Sequence, residues 1–222
     1  MKKTLVILAN SVKNGQHCVA GKEIISKAWY RPVSDNIGSE ISHEQAKCKN
    51  SYGIFPISVL QKIEINISHA APLLNQPENV VIFNEVWLQR YKIDRNELVD
   101  YLDQPTLLWN NESSSSSGDN DRVSFQKIQS GNIKIEQSLY LLSTDNVKVI
   151  VQENYENKKR LRVSFDYNKF SYNLATTDPV LWKHFLSKEA GVYEYESPMF
   201  LCISLAGRFD DGFCYKLVAS VL

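Results

Sequence analysis

The sequence has no excess of either charge, no long apolar run and no recognised catalytic motif. Among its 222 residues, 25 are Lys or Arg and 25 are Asp or Glu, so the formal net charge is zero. A neutral chain argues against a protein that coats nucleic acid by bulk charge, although a local basic groove remains compatible with it. No run reaches the roughly 18 apolar residues that a membrane-spanning helix needs. Hydrophobic residues at 43% and charged residues at 23% exclude a disordered chain, a coiled coil and a collagen-like fibre.

Cysteine is scarce, and the spacing of the cysteines matches no common disulfide or metal-binding motif. None of the four cysteines belongs to a CxxC pair, which favours reduced thiols in a cytoplasmic protein over a disulfide framework. These residues are Cys18, Cys48, Cys202 and Cys214. His17 and His43 lie near two of them and could complete a zinc ligand set. Adjacent ligands such as His17 and Cys18 chelate one ion poorly, so we expect no metal and no cofactor.

Searches for an active site also fail. The sequence contains no Walker A loop, GxGxxG, GxSxG or HExxH motif. Two acidic pairs, Asp119/Asp121 and Asp210/Asp211, could serve a two-metal nuclease. Both pairs fall where turns use Asp for backbone hydrogen bonds, and we identify no companion residue. The sequence therefore predicts a protein that is not an enzyme.

Strand signals dominate the chain. Residues 4–9 form a short apolar run, and Lys22–Val33 reads as a second strand. In residues 57–67, apolar and polar side chains alternate at the end of the segment, as expected for a strand with one buried face. Residues 34–55 are polar and contain two glycines, and we expect a long connection there.

Two short helices are predicted from their first residues. Asp94 and Glu97 have the spacing of a capping box. In that motif the Asp94 side chain accepts a hydrogen bond from the Glu97 amide, and the Glu97 side chain accepts one from the Asp94 amide. Asp178 can cap the second helix, and Pro179 fits its first position because a proline has no N–H to leave unpaired there.

The low-complexity stretch Ser113–Ser117 predicts a flexible loop near the middle of the chain. Each half then has its own strands and one helix. This pattern predicts a mostly β protein with short helices, made of two tandem OB-type Greek-key barrels over residues 1–110 and 111–222. A single large mixed β domain is the alternative.

The most informative segment is a predicted hairpin within residues 158–178. Asn168 and Lys169 form its two-residue turn, since Asn tolerates positive φ. The resulting register places Phe165 opposite Tyr172, an aromatic pair of the kind that stabilises hairpins.

Candidate ligand-binding residues follow from the basic and aromatic side chains. We expect Arg31, Arg160 and Arg162 to hold phosphates. We expect Trp29 or Tyr172 to stack on a base, although both could equally belong to the core. Gln76 and Asn79 could read base edges or simply tie down a turn. Asn173, on the same face of the predicted hairpin as Arg160 and Arg162, is a further candidate ligand-binding residue.

Several of these segments, taken together, resemble one protein family. They are Trp29-Tyr30-Arg31-Pro32-Val33-Ser34, Asn75-Gln76-Pro77-Glu78-Asn79, the aromatic pattern from Phe165 to Leu174, and Thr177-Asp178-Pro179. In this combination the chain resembles, over nearly its whole length, the bacterial dual OB-containing domain proteins. The resemblance implies two fused OB folds and a nucleic-acid-binding or nucleotide-binding part in bacterial defence systems. It carries over no catalytic residues.

The leading hypothesis is therefore a cytoplasmic bacterial protein that binds single-stranded nucleic acid or a nucleotide in a defence system, without catalysis and without a membrane. Two other classes stay open. One is an adaptor that recognises an effector protein encoded alongside it. The other is a sensor of a small signalling nucleotide held between the barrels.

Overall fold

The computed structural model describes residues 1–13, 15–153, 158–195 and 198–222. The chain divides into two units, Met1–Tyr101 and Leu102–Leu222. The division lies before the predicted boundary at residue 110, because Leu108 is fully buried in the core of the second unit. In the described ranges, no helix has both the length and the apolar character needed to cross a membrane.

In its described residues, the first unit is built of eight strands and one 3₁₀ helix. The strands are β1 (Lys2–Lys13), β2 (Gln16–Glu23), β3 (Trp29–Val33), β4 (Lys47–Asn50), β5 (Gly53–Pro56), β6 (Gln61–Ala70), β7 (Asn79–Ile82) and β8 (Trp87–Lys92), and the 3₁₀ helix spans Arg95–Tyr101.

Five of these strands close a barrel in the order β1-β2-β3-β7-β6, with β6 pairing back onto β1. The pair β3–β7 is parallel and the other four pairs are antiparallel. Ile63, Ile65 and Ile67 alternate into the core as predicted. Strands β8, β4 and β5 extend the sheet outward from β6. A five-stranded Greek-key barrel with this order is an OB-type fold.

Two predictions for this unit need correction. The expected strand Lys22–Val33 is two strands, because the chain turns after β2 and the Glu23 carboxylate accepts hydrogen bonds from the amides of Ser26 and Ile25. The expected connection over residues 34–55 contains β4 and β5. Its strands form because Cys48 pairs with the distant Trp87, a contact that local sequence does not reveal.

The part of the second unit that the structure describes has eight strands and two short α-helices. The elements are β9 (Arg122–Ser124), α1 (Phe125–Gln129), β10 (Leu139–Thr144), β11 (Val147–Glu153), β12 (Lys159–Tyr167), β13 (Phe170–Thr176), α2 (Pro179–Phe185), β14 (Gly191–Tyr195), β15 (Met199–Arg208) and β16 (Phe213–Val221).

The sheet of the second unit repeats the strand order of the first. The path β11-β12-β13-β16-β15 corresponds to β1-β2-β3-β7-β6. Its parallel pair, β13–β16, takes the position that β3–β7 has in the first unit. β15 then pairs with β10, so β10 and β11 together occupy the position of β1. The prediction of a mostly β chain with two OB-type units is confirmed.

The predicted hairpin is confirmed residue by residue. Phe165 faces Tyr172 across β12 and β13, and their rings stack with centroids 5.4 Å apart. Asn168 and Lys169 adopt φ values of 48° and 69°, as a type I′ turn requires. The predicted Asp178 cap also forms, since its Oδ1 accepts from the amide of Val180 at 2.8 Å. At Asp94 the Glu97 half of the predicted capping box forms, with the Asp94 amide donating to Glu97 Oε1 at 2.9 Å, whereas the Glu97 amide donates to the Asp94 backbone carbonyl. The element that follows is a 3₁₀ helix.

Candidate nucleic-acid interface

Most of the predicted ligand residues of the first unit lie in its interior. Arg31 is buried and pairs with the buried carboxylate of Glu78 at 3.3 Å. Trp29 is buried, and the Lys22 ammonium lies over its ring at 5.2 Å. Because Trp29 is only 7% exposed, its ring offers no free face to a base. The predicted roles of Arg31 in phosphate binding and Trp29 in stacking therefore do not fit the structure.

Gln76 and Asn79 stabilise a turn. Both side chains are buried, and the Asn79 amide donates to Gln76 Oε1 at 3.4 Å. Backbone bonds between Leu73 and Gln76 close the turn in both directions. Their placement thus matches the alternative that these residues tie down a turn. Neither side chain is positioned to read a base edge.

Arg162 is enclosed in the second unit. Its guanidinium pairs with the buried Asp121 at 3.0 Å, and its Nε donates to Asn173 Oδ1 at 3.0 Å. The serine-rich loop closes over this pair: Ser115 donates to Asp121 through both its amide and its hydroxyl. A Cβ on Gly118 would lie 1.9 Å from Arg162 Nη2, so only glycine fits there. Arg162 is therefore buried in holding the loop and is not available as a phosphate contact, and the half-buried Asn173 uses its side-chain oxygen to hold Arg162.

Tyr172 is fully buried, which corrects its predicted stacking role. Its hydroxyl donates to Asn111 Oδ1 at 3.0 Å, and the Lys216 ammonium lies 5.3 Å from its ring centroid. Lys216 is itself fully buried and donates to the carbonyl of Asn110. Burial lowers the pKa of Lys216 to about 7, and the negative charge of Asp121 opposes this shift only in part.

Arg160 alone among the predicted arginines is exposed, and it has no acidic partner within the part of the chain that the structure describes. It lines a shallow recess of about 410 Å³ together with Val151, Gln152, Glu153 and Ala190. Its predicted phosphate contact stays a prediction.

His17 and His43 hydrogen-bond each other. The His17 Nε2 and His43 Nδ1 atoms are 2.9 Å apart, and His17 Nδ1 lies 2.7 Å from Asn10 Oδ1. Burial, and then the charge of His43, lower the pKa of His17. Among the described residues, no three His, Cys, Asp or Glu side chains cluster as metal ligands.

A different surface of the first unit combines free cations with an exposed aromatic ring. It is the outer face of β6, β8, β4 and β5, here called the basic sheet face. Cross-strand pairing places Glu64, Leu88, Lys49 and Ile54 in one row across these strands. Adjacent strands are about 4.8 Å apart, so the row is roughly 14 Å long. Lys62, Arg90 and Tyr91 lie beside this row, and Lys2 borders it on β1.

A β-bulge makes this face aromatic as well as basic. The register shifts between Lys62 and Ile63, so that Arg90 and Tyr91 both lie opposite Lys62. A bulge of this kind sets two residues against one and leaves both on the same side. Tyr91 is 72% exposed as a result.

The charges of the face are only partly neutralised. Lys2 and Arg90 pair with Glu64 at 2.7 and 2.9 Å, and their hydrogen bonds lower the pKa of that carboxyl. Lys49 and Lys62 have no acidic partner in the described ranges. Two ammonium groups are therefore available to an anion, and Lys62 lies directly across from the exposed Tyr91. Sequence reasoning missed this face because β8 was not predicted, although Arg90-Tyr91-Lys92 alternates basic and aromatic side chains.

The first unit thus closes as a five-stranded barrel and the second forms a sheet with the same strand order, an arrangement typical of OB-type folds. The model of the dual OB-containing domain family matches residues 3–221, and the chain belongs to that family. No curated protein matches the chain significantly. Membership indicates a binding role in general.

Proposed function

We propose that the chain is a non-catalytic protein that binds single-stranded nucleic acid on the basic sheet face. The observation that carries the proposal is the placement of Tyr91, whose side chain is 72% exposed and which pairs across the strands with Lys62. Single-strand binders of OB architecture combine a positive surface for the backbone with aromatic rings for the bases. The basic sheet face offers both.

The unpaired ammonium groups of Lys49 and Lys62 supply the attraction for phosphate. Each cation that neutralises a phosphate releases a condensed counterion, and this release drives binding at low salt. Arg90 contributes less, because it already shares Glu64 with Lys2. Local charge of this kind is compatible with a formal net charge of zero.

Tyr91 gives the preference for single strands. Base stacking on an exposed aromatic ring is worth about 1–3 kcal/mol per base and tolerates any sequence. The bases of a duplex are already stacked inside it, so they are not accessible to the ring. We therefore expect a duplex of the same sequence to bind more weakly than either of its strands.

The binding test uses fluorescence anisotropy with labelled oligonucleotides of about 20 nucleotides, which exceeds the usual site size of one OB fold. Tyr91→Ala should weaken binding about five- to a hundredfold, which corresponds to the loss of one stacked base. Tyr91→Phe keeps the ring and should bind like the natural protein. Equal affinity of Tyr91→Ala and the natural protein would remove Tyr91 from the interface.

The lysines need a control that removes the same charge elsewhere. Lys49→Ala combined with Lys62→Ala should weaken binding, whereas Lys134→Ala combined with Lys183→Ala, on exposed sites of the second unit, should not. If both double variants weaken binding equally, the attraction is general and the basic sheet face is not the site.

An adaptor role is the second candidate, favoured by the edge strand β5. Ile54 and Phe55 of this strand are exposed, and an open strand edge can pair with an extended segment of another protein. Capture of one stoichiometric protein, with no binding of any oligonucleotide, would favour the adaptor. A bacterial defence setting and a cytoplasmic location remain predictions from the sequence.

A further inference from the structure

A recess of about 380 Å³ opens beside the hairpin that joins β15 to β16 in the second unit. This volume is in the range of sites that hold small organic ligands. Aromatic, guanidinium and amide groups line the recess together. The lining residues that matter here are Phe125, Gln126, Gln129, Arg208, Asp211 and Phe213.

Strand pairing and hydrogen bonds fix the backbone around the recess. β9 pairs with β16 and places Ser124 opposite Phe213, and the Phe125 amide donates to the Gly212 carbonyl at 3.0 Å. Gly212 adopts a φ of 84°, which closes the hairpin at low cost only for glycine. The recess is thus a preformed feature of the unit.

Arg208 supplies an available positive charge at the rim. Its guanidinium carbon lies 5.6 Å from the Phe125 ring centroid, and its side chain is exposed. No carboxylate within the described residues pairs with it. An arginine that stacks on a ring keeps its N–H donors directed outward, which suits bidentate contact with a phosphate.

Asp211 and the two glutamines supply polar groups for a base. Asp211 accepts hydrogen bonds from the Tyr215 hydroxyl at 2.6 Å and from the Phe213 amide at 3.2 Å. These bonds, with the charge of Arg122, lower the pKa of Asp211 and keep it ionised as an acceptor. The Gln126 and Gln129 side chains are exposed beside it.

We propose that this recess binds a free nucleotide. The base packs against the Phe125 and Phe213 rings with its N–H groups toward Asp211, and the phosphate contacts Arg208. Phe213 already has the Arg122 guanidinium 4.1 Å from its ring centroid, so this ring is held in place before a ligand arrives. The recess shares no residue with the basic sheet face, and the inference does not depend on the function proposed above.

Isothermal titration of the full chain tests the inference, with the four common nucleoside 5′-monophosphates, their nucleosides and inorganic phosphate as ligands. We expect at least one nucleotide to bind, and to bind more tightly than its nucleoside or phosphate. Arg208→Ala should lower nucleotide affinity at least tenfold, to the level of the nucleoside. Lys134→Ala, which removes one exposed charge from the same unit, should change nothing.

A second variant separates the ring from the charge. Phe125→Leu keeps apolar volume but removes the π face, so it should weaken the binding of nucleotide and nucleoside alike. The melting curve of each variant reports on whether it is folded.

The inference is overturned if no nucleotide binds at about 1 mM. It is also overturned if Arg208→Ala binds like the natural protein, or if inorganic phosphate binds as tightly as nucleotides. Loss of oligonucleotide binding in the Lys49 and Lys62 variant, with nucleotide binding intact, would show that the two sites are separate.

Discussion

The two units each bury a lysine that donates to a backbone carbonyl and lies over an aromatic ring, and they differ in the polar groups around it. In the first unit, Lys22 donates to the Tyr101 carbonyl at 2.7 Å and lies over Trp29. In the second, Lys216 donates to the Asn110 carbonyl and lies over Tyr172, with the Arg162–Asp121 ion pair nearby. The strand order is shared, whereas the polar interior is specific to each unit. Similar barrels can therefore differ in which charges they hide and which they expose.

The exposed surfaces differ for a topological reason. The first unit extends its barrel by β8, β4 and β5, and this extension carries the basic sheet face. The second unit splits its first barrel strand into β10 and β11 and adds β9 beside β16, which builds the recess near Arg208. Additions outside the five shared strands thus contribute to both proposed binding surfaces.

Removal of one buried carboxylate should have the largest effect on stability. Asp121→Ala leaves the Arg162 guanidinium buried without its partner and releases Ser115, so we expect a loss of about 3–5 kcal/mol in the free energy of unfolding. Glu78→Ala in the first unit should cost less, because the Arg31–Glu78 contact is longer, at 3.3 Å. Urea unfolding measures both, and an equal or larger loss for Glu78→Ala would contradict this ranking.

Lys216, the buried lysine of the second unit, should make the free energy of unfolding depend on pH. The pKa of Lys216 is about 7 in the folded chain and near 10.5 when unfolded. Between these values the unfolded state binds more protons, so stability rises with pH. From pH 7 to pH 9 we expect a contribution on the order of 2 kcal/mol.

Lys216→Met should remove this contribution and flatten the curve measured by urea unfolding over pH 7–9. The window stops at pH 9 because burial raises the pKa of Cys214 to about 11, and that thiol has the opposite effect above its usual pKa. An unchanged slope in Lys216→Met would show that other groups carry the pH dependence.

Replacing Tyr by Phe at a buried and at an exposed position tests which tyrosine hydroxyl contributes to stability. Tyr172→Phe removes the hydrogen bond to Asn111 inside the second unit and should cost about 1–2 kcal/mol. Tyr91→Phe, on the basic sheet face, should stay within about 0.5 kcal/mol of the natural protein. Thermal unfolding of the two variants gives the comparison, and similar melting temperatures would argue that Tyr172 is not buried as described.

A smaller change in stability than that of Tyr172→Phe is expected at two lysines whose backbone is left-handed. Lys169 has a φ of 69° in an exposed turn, so Lys169→Gly should stabilise the second unit by about 0.5–1 kcal/mol. Lys27 has a φ of 58° in the first unit, but its ammonium lies 3.6 Å from the Tyr101 ring centroid. Lys27→Gly should therefore gain less, and a greater gain there in urea unfolding would reverse the comparison.

Local features of the fold could be predicted from the sequence. The β12–β13 hairpin follows from an aromatic pair and a two-residue turn, and α2 follows from Asp178 and Pro179 at its start. Both depend on residues close together in the chain. β4 and β8 could not be predicted in the same way, because they stabilise each other across about 40 residues.

The candidate site was harder to predict for the same reason. The sequence shows that Arg31 and Arg162 are cations, but the acids that pair with them, Glu78 and Asp121, lie more than 40 residues away. The basic sheet face likewise depends on a bulge in β8 that aligns Tyr91 with Lys62. Residue type alone does not show whether a charge is paired or exposed.

The salt dependence of oligonucleotide binding tests the central claim most directly. For the natural protein, the logarithm of the binding constant should fall linearly with the logarithm of salt concentration. Lys49→Ala combined with Lys62→Ala should reduce that slope by about 1.4, from two phosphate contacts on a single strand, whereas the Lys134 and Lys183 control keeps it. Equal slopes for all three proteins, or no oligonucleotide binding by the natural chain, would contradict the proposed function.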